Sequence, residues 1–420
     1  MNARLRLVGT ADVPETEALP GALLPGPVHY LGESSGALTE LEPESLSAHR
    51  RRVGERPSCT GPAGSALLEA LDEAALTGRG GGHFPTARKL QAARAAGATV
   101  VVANGAEGEP LSRKDAALLE LRPHLVLDGL ACVAEFVGAR SAVVWLHESA
   151  HPARAAVARA LAERQGHEKE PALRIALGPD HYLTGESSAV LRGVSGGPAL
   201  PVFRRAPGTS GLVHNVETLA RTGLLVRGVA AADTVLVSAS HERAIVVLEV
   251  PDQCGLADAA TAATGSAPVQ ALLVGGFGGS WVPWTQARHL PLAESSLRAH
   301  GLSLGAGVLH ALPAGSCGLA RAASIAATLS AASARQCGPC LHGLAAIASS
   351  MSALVRGGRR HRGEVARLEA FVATVRGRGA CNHPDGAARM VASALRVFEE
   401  DVSAHLRGRC LHATAGRRRG

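Results

Sequence analysis

The chain has 420 residues, of which 46% are hydrophobic and 19% charged, a balance that excludes a disordered chain and is too long for a single ordinary core. Aromatic residues make up only 3%, so Ala, Leu and Val must build the interior. The net charge is +7, but its arginine runs are short (50–52, 359–362 and 417–419), reading as solvated turns or as docking points for an acidic redox partner, with no nucleic acid expected. No run reaches the roughly 18 uninterrupted apolar residues that span a bilayer. Asp12, Pro14, Glu15 and Pro20 interrupt the first residues before a signal-peptide core forms, so the expected location is cytoplasmic, without direct membrane insertion. Eight cysteines, only three of them in a ligand-like arrangement, fit a reduced compartment better than a disulfide framework.

Residues 1–60 carry little periodicity and read as an irregular lead-in. An Ala and Leu pattern from Gly64 to Leu76 predicts a short helix that runs into Gly78-Arg79-Gly80-Gly81-Gly82-His83-Phe84-Pro85-Thr86, with Lys89 one turn further on. Glycines without Cβ atoms, a following helix N-terminus and a nearby ammonium form a natural phosphate cradle; the alternative is a plain flexible turn. The spacing is that of neither common nucleotide loop. Thr86 is the expected N-cap, Ala87 to Ala96 the helix and Gly97 its stop.

Thr99 to Ala103 is a β-branched run, hence a buried strand, and it delivers Asn104, Glu107 and Glu109 to the strand end, where α/β sheets hold ligands. One long helical pattern from Asp115 to Val137, a strand at Ala142 to Leu146, a helix from Pro152 to Arg164 and a strand at Leu173 to Leu177 then alternate as in a largely parallel sheet. Next come Tyr182-Leu183-Thr184-Gly185-Glu186-Ser187 and His214-Asn215-Val216-Glu217-Thr218. From about Ala232 to Trp281 the order strand, strand, helix, strand describes a small α+β module.

Cys337-Gly338-Pro339-Cys340 opens a helix with an apolar face of Leu344, Ile347, Met351, Leu354 and Val355, and Cys381 precedes a second helix from Ala387 to Phe398. Thiolates at helix N-termini are stabilised by the dipole and suit metal ligation. Cys59, Cys132, Cys254 and Cys410 have no partner spacing, and His310 and His405 read as isolated surface or core residues.

Taken in series, these segments resemble the NADH- and FMN-binding subunit of respiratory complex I and its soluble dehydrogenase relatives: GRGGGHFPTARK against GRGGxGFPTGxK, NGAEGEP against NADEGEP, YLTGESSAVL against YxxGEExALL, HNVETLA against NNVETLA, and SARQCGPCLHG against SCGxCxPCRxG. The resemblance implies a Rossmann-like FMN-binding α/β domain (61–228), a small β-grasp, SLBB-like α+β domain (229–300), a C-terminal helical-bundle iron–sulfur domain (301–410) and a basic tail (411–420). It implies that FMN and NAD(H) are held by Gly78, Arg79, Gly80, Gly81, Phe84, Lys89, Asn104, Glu107, Glu109, Tyr182, Gly185, Glu186, His214 and Asn215, with Glu107 and Glu186 nearest the chemistry. Cys337, Cys340 and Cys381 would be three ligands of a [4Fe-4S] cluster. The chain departs from the pattern at Ala106, Ser187, His214 and Ala334, the last removing the fourth ligand. A cluster completed by another ligand, a three-iron variant, a zinc site and an empty site all stand open, with His342, His383 and Cys317 as substitute ligands. The implied function is a flavin and iron–sulfur oxidoreductase subunit that passes electrons from NAD(P)H through FMN to the cluster and on to a ferredoxin-like or [2Fe-2S] partner subunit, reaching a membrane-bound redox complex through other subunits. The alternatives are a cofactor-poor docking subunit and a flavoprotein reduced by a ferredoxin-like donor.

Overall fold

The computed structural model describes residues 21–31, 41–165, 172–203, 210–229 and 233–412; Arg204 and Arg205, most of the lead-in before Leu41 and the arginines 417–419 lie outside them. Among the described residues ten strands form in chain order: β1 Val28–Leu31, β2 Val100–Asn104, β3 Ser141–His147, β4 Leu173–Gly178, β5 Gly211–Asn215, β6 Thr234–His241, β7 Ala244–Pro251, β8 Val269–Val274, β9 Ser280–Pro283 and β10 Val308–Pro313.

The first sheet has the order β4-β3-β2-β5 and is parallel throughout. From β2 the chain winds outward through β3 and β4, then returns to place β5 on the other side of β2. The order therefore reverses between β2 and β5, which is where open α/β sheets leave a crevice at their carboxyl ends. The register pairs Asn104 with Asn215, so both asparagines stand at the mouth of that crevice. Val101, Val102, Ala103, Val143 and Val144 are fully buried, as β-branched and small side chains covered on both sheet faces must be.

Helices Pro123–Val137 and Val216–Leu225 pack closely over this sheet: a Cβ on Gly129 would meet the Leu219 carbonyl at 1.8 Å. The helix expected from Asp115 to Val137 is two helices, Lys114–Leu121 and Pro123–Val137. Pro123 lacks the N–H that would continue the first and starts the second instead. Thr86 is the first residue of helix Thr86–Ala95 rather than its N-cap, a position Pro85 holds without a side-chain hydrogen bond, and Gly97 follows the helix end at φ +64°.

The second sheet has the order β1-β7-β6-β10-β8-β9, with β6 and β10 parallel at its centre and the other pairs antiparallel. Strands β6 to β10 with helix Leu256–Thr264 have the β-grasp arrangement; the sheet also takes β1 from the lead-in and β10 from beyond residue 300. Helices Gly318–Ala331, Leu344–Arg356, Glu364–Val375, His383–Val397 and Glu399–Leu406 form the bundle around Leu319, Ile347, Met351, Leu368 and Val391. Trp281 of β9 packs edge-on against Phe398 at 5.1 Å and donates its backbone N–H to Ser393 Oγ at 2.9 Å, joining sheet to bundle. Among the described residues no helix is long and apolar enough to cross a membrane.

Candidate functional site

The glycine loop is a tight excursion between Thr77 and Pro85, closed by Gly78 N–H to Phe84 O at 3.0 Å and Thr86 N–H to Leu76 O at 2.8 Å. Its position is fixed from outside: Arg79 N–H donates to Thr218 Oγ1 at 2.9 Å. A Cβ on Gly80 would stand 3.3 Å from Asn215 Cβ, and Gly81, at φ +90°, faces the backbone of Gly305. These glycines let the loop reach the end of β5, where a side chain would fill the crevice. His83 takes up φ +44° and its Nε2 stands 3.4 Å from Glu294 Oε2. Lys89 Nζ donates to the Val213 carbonyl at 2.5 Å, which places an ammonium at the same strand end. Beside it lies His214, wholly buried, whose Nε2 has no hydrogen-bond partner among the described residues. Burial, and then the Lys89 charge, hold that imidazole well below its usual pKa, hence neutral.

On the other wall, Asn104 bridges two loops: its Nδ2 donates to Gly185 O at 2.8 Å and its Oδ1 accepts from Ala106 N–H at 3.2 Å. Gly185 must be glycine here, because a Cβ would meet the Ala106 carbonyl at 2.4 Å. Glu186 caps helix Ser187–Val194, accepting from Ser188 N–H at 2.8 Å and Ala189 N–H at 3.1 Å through Oε2. Glu107 caps helix Lys114–Leu121, accepting from Asp115 N–H at 3.1 Å and Ala116 N–H at 3.0 Å as well as from Ser112 Oγ. Glu109 is buried and accepts from Tyr182 Oη at 3.0 Å and Phe277 N–H at 2.9 Å, tying the β2 loop to the β8–β9 turn. Phe84 is half exposed, with the Arg88 guanidinium 5.9 Å from its ring, so it is not a core residue.

Behind the crevice lies a buried ionic network. Lys114 Nζ contacts Asp115 at 2.7 Å and Glu217 at 3.1 Å, Arg221 holds Glu217 at 3.0 Å, and Asn215 Nδ2 donates to Asp115 Oδ2 at 2.6 Å. Burial alone would lower the Lys114 pKa, but Asp115, Glu217 and Glu107 more than reverse it and keep the ammonium charged. Burial raises Asp115 to about 7 against the opposing Lys114 charge, with Glu107 and Glu217 adding to the rise. Burial would raise Glu217 too, but Lys114 and Arg221 bring it down to about 2. Asp115, Lys114 and Glu217 thus orient Asn215, a role their sequence spacing gave no means of assigning.

The three cysteines converge from two segments. Cys337 and Cys340 flank a turn that enters the π-helical turn Pro339–Gly343, and Cys381 sits just before helix His383–Val397. Burial, then the neighbouring Cys337 and Cys381 thiols, push Cys340 up to about 12. Cys381 is also raised, by burial, Glu186 and Cys337, against the His383 backbone N–H. The Tyr182 ring, whose hydroxyl bonds Glu109, lies 5.2 Å from that of His383, two residues after Cys381. None of the substitute ligands joins the set: His383 Nε2 donates to Leu329 O at 2.8 Å, His342 is exposed, and Cys317 Sγ lies 3.4 Å from His405 Nε2.

The residues fit the groups the resemblance implies, with one deficit. Glycines occupy the positions where a Cβ would obstruct the crevice, and a buried, unpartnered imidazole nitrogen and a lysine stand at its anion end. The cysteine set offers soft thiolates suited to iron–sulfur ligation but supplies three rather than four.

Comparison with known proteins agrees in both halves. The family model described as the Nuo51 FMN-binding domain matches residues 71–222, and that of the NADH-ubiquinone oxidoreductase-F iron-sulfur binding region matches residues 320–405. The second F subunit of NADH-quinone oxidoreductase from Rhizobium meliloti (strain 1021) is 27% identical over 377 residues, covering 82% of this chain and 89% of that protein. The F subunit of NADH-quinone oxidoreductase from Streptomyces coelicolor is 27% identical over 406 residues, covering 88% and 90%. A crystal structure of an NAD+-reducing [NiFe]-hydrogenase in the H2-reduced state superposes with TM-score 0.71 at 27% identity; the match covers 81% of this chain and 63% of that one.

Proposed function

Because the chain belongs, as a diverged member, to the family of NADH-quinone oxidoreductase F subunits, we propose that it is the electron-input component of a multi-subunit redox complex, taking electrons from NAD(P)H and passing them to a partner protein. The observation that carries this reading is Tyr182, whose hydroxyl bonds Glu109 at the crevice while its ring lies 5.2 Å from that of His383, two residues after Cys381. That contact supports placing the two cofactor sites side by side, as electron transfer between them requires.

FMN, when bound, supplies the conversion of a two-electron hydride donor into single-electron steps, and an iron–sulfur cluster supplies a one-electron acceptor. The protein's part is placement. Gly78, Gly80 and Gly81 would let backbone approach the FMN phosphate, and Lys89 and Arg79 would balance its charge. Asn104 and Asn215 are held rigid by Gly185 O and Asp115, so their polar groups are pre-oriented toward a flavin between the strand ends. Glu107, Glu109, Tyr182, Gly185 and Glu186 shape the opposite wall, and Phe84 offers an exposed ring for stacking on a dinucleotide. Cys337, Cys340 and Cys381 would hold an iron–sulfur cluster, which would supply one-electron transfer to a ferredoxin-like or [2Fe-2S] partner subunit. Ser187, in place of a carboxylate that would bind ribose hydroxyls more strongly, favours a second reading in which a reduced protein donor replaces the dinucleotide.

The test is the visible spectrum of anaerobically purified protein before and after NADH. Flavin bands on a broad iron–sulfur shoulder, bleached by NADH, are expected; flavin that stays oxidised would shift the donor to a protein. Lys89→Ala should lower flavin retention roughly tenfold, the loss of one charge-assisted phosphate contact of about 1.4 kcal/mol. Unchanged flavin content would remove the phosphate assignment of the glycine loop.

A further inference from the structure

At the far end of the bundle, Cys317, His405 and Cys410 come together although nothing in their spacing announces it. One ligand atom from each lies within 4.8 Å of the others. Cys317 caps the start of the bundle's first helix, Gly318–Ala331, His405 lies in the last turn of its final helix, Glu399–Leu406, and Cys410 follows that helix. We propose that these three side chains form a zinc site, separate from Cys337, Cys340 and Cys381, that fastens the end of the chain to the start of the bundle.

The local bonding is already that of a metal site. His405 Nδ1 donates to the Val355 carbonyl at 2.7 Å, which fixes the tautomer and turns the Nε2 lone pair toward Cys317 Sγ, 3.4 Å away. Metal-ligating histidines are oriented in this way by a backbone acceptor on the other ring nitrogen. Cys317 Sγ accepts the Ala320 N–H at 3.4 Å, a donor that stabilises a thiolate at a helix N-terminus. Two thiolates and an imidazole at these separations select a tetrahedral, borderline-soft cation, of which zinc is the common one. Asp401 lies one turn before His405 on the same helix face. Its Oδ2 accepts the Gly318 N–H at 2.9 Å, beside Cys317, and its Oδ1 stands 3.1 Å from His412 Nε2. Its carboxylate is not among the three converging ligand atoms, so the fourth position is assigned to a water. Three ligands drawn from the start of the first helix and the end of the last brace the bundle, whether or not the chain carries flavin.

The experiment loads the full-length protein, stripped with a chelator and kept reduced, with Zn2+ alone and counts metal after dialysis. One zinc per chain is expected in the wild type and in the Cys337→Ser, Cys340→Ser double variant, with at least a tenfold loss of zinc affinity in Cys410→Ser and iron content unchanged. Cys410 lies in the turn after the last helix, so its serine variant should fold; Co2+ loaded into the wild-type protein, with the two-thiolate spectrum of a tetrahedral site, supports the assignment without any variant. Zinc that survives Cys410→Ser, no zinc retained by the wild type, or a Cys317–Cys410 disulfide mapped in protein isolated without air would each overturn it.

Discussion

The crevice between β2 and β5 and the cysteine turn of the bundle have each lost groups that the family pattern carries there, and they absorb the loss differently. In the crevice, Ala106 and Ser187 remove carboxylates, yet the scaffold closes around the gaps. The Ala106 backbone still donates to Asn104, and Ser188 and Ala189 still satisfy Glu186. At the cysteine turn, Ala334 removes a ligand that no backbone group can imitate, and the nearby His383 already donates its ring N–H to Leu329 O. Polar contacts to an organic cofactor are shared among many donors and tolerate dilution. A metal ligand set is a count, and one loss changes the chemistry of what is bound.

The largest expected effect concerns charge, which is concentrated in the crevice. Glu217 has a folded-state pKa of about 2, below its ordinary 4.5, so its contribution is present above pH 4.5 and is lost as pH falls toward 2. Asp115 is raised from 3.8 to about 7, so its contribution is present below pH 3.8 and is lost as pH rises through 7. Both together place the crevice's greatest stability near pH 4, with losses on the order of 3 kcal/mol as the pH falls to 2 or rises to 7. Denaturant unfolding followed by flavin fluorescence across pH would show it; a flat profile would mean that the Lys114 network does not hold the site.

Next comes Gly185→Ala, whose Cβ would overlap the Ala106 carbonyl. The Asn104 wall should shift at a cost of about 2 kcal/mol, with flavin content falling more than tenfold while the iron count holds. Loss of iron as well as flavin would show that the two sites are not independent. The smallest effect is the most diagnostic for the cysteine turn: Ala334→Cys should complete the ligand set and raise iron retention against a chelator about tenfold, or roughly 1.4 kcal/mol. An unchanged iron count would mean that this backbone does not present residue 334 to the cluster.

Much of the crevice is legible before folding, because its parts are local: a glycine cluster, a lysine one turn on, and polar residues directly after β-branched runs. The split at Pro123 was also written in the chain and follows from proline's missing N–H, although helical periodicity runs straight through it. Glu109 could be placed at a strand end, but its bond to Phe277 N–H depends on the β8–β9 turn arriving from 168 residues away. The strands Val28–Leu31 and Val308–Pro313 join the second sheet through pairings with Ile245, Val247, Ala239 and Leu273, which no local pattern encodes.

The sequence by itself determined most element types beyond residue 60, the α/β then α+β then helical order, and the chemical identity of the loops, since each rests on neighbours within a turn or a strand; strand Val28–Leu31 and helix Leu46–Val53 lie in a lead-in it showed as irregular. Tertiary structure alone decided which loops share a crevice, that Tyr182, bonded to Glu109, meets His383, and that Cys317 meets His405 and Cys410. The reason is physical: a parallel sheet whose strand order reverses, and a bundle whose first and last helices touch, bring together atoms whose separation along the chain carries no signal of their separation in space.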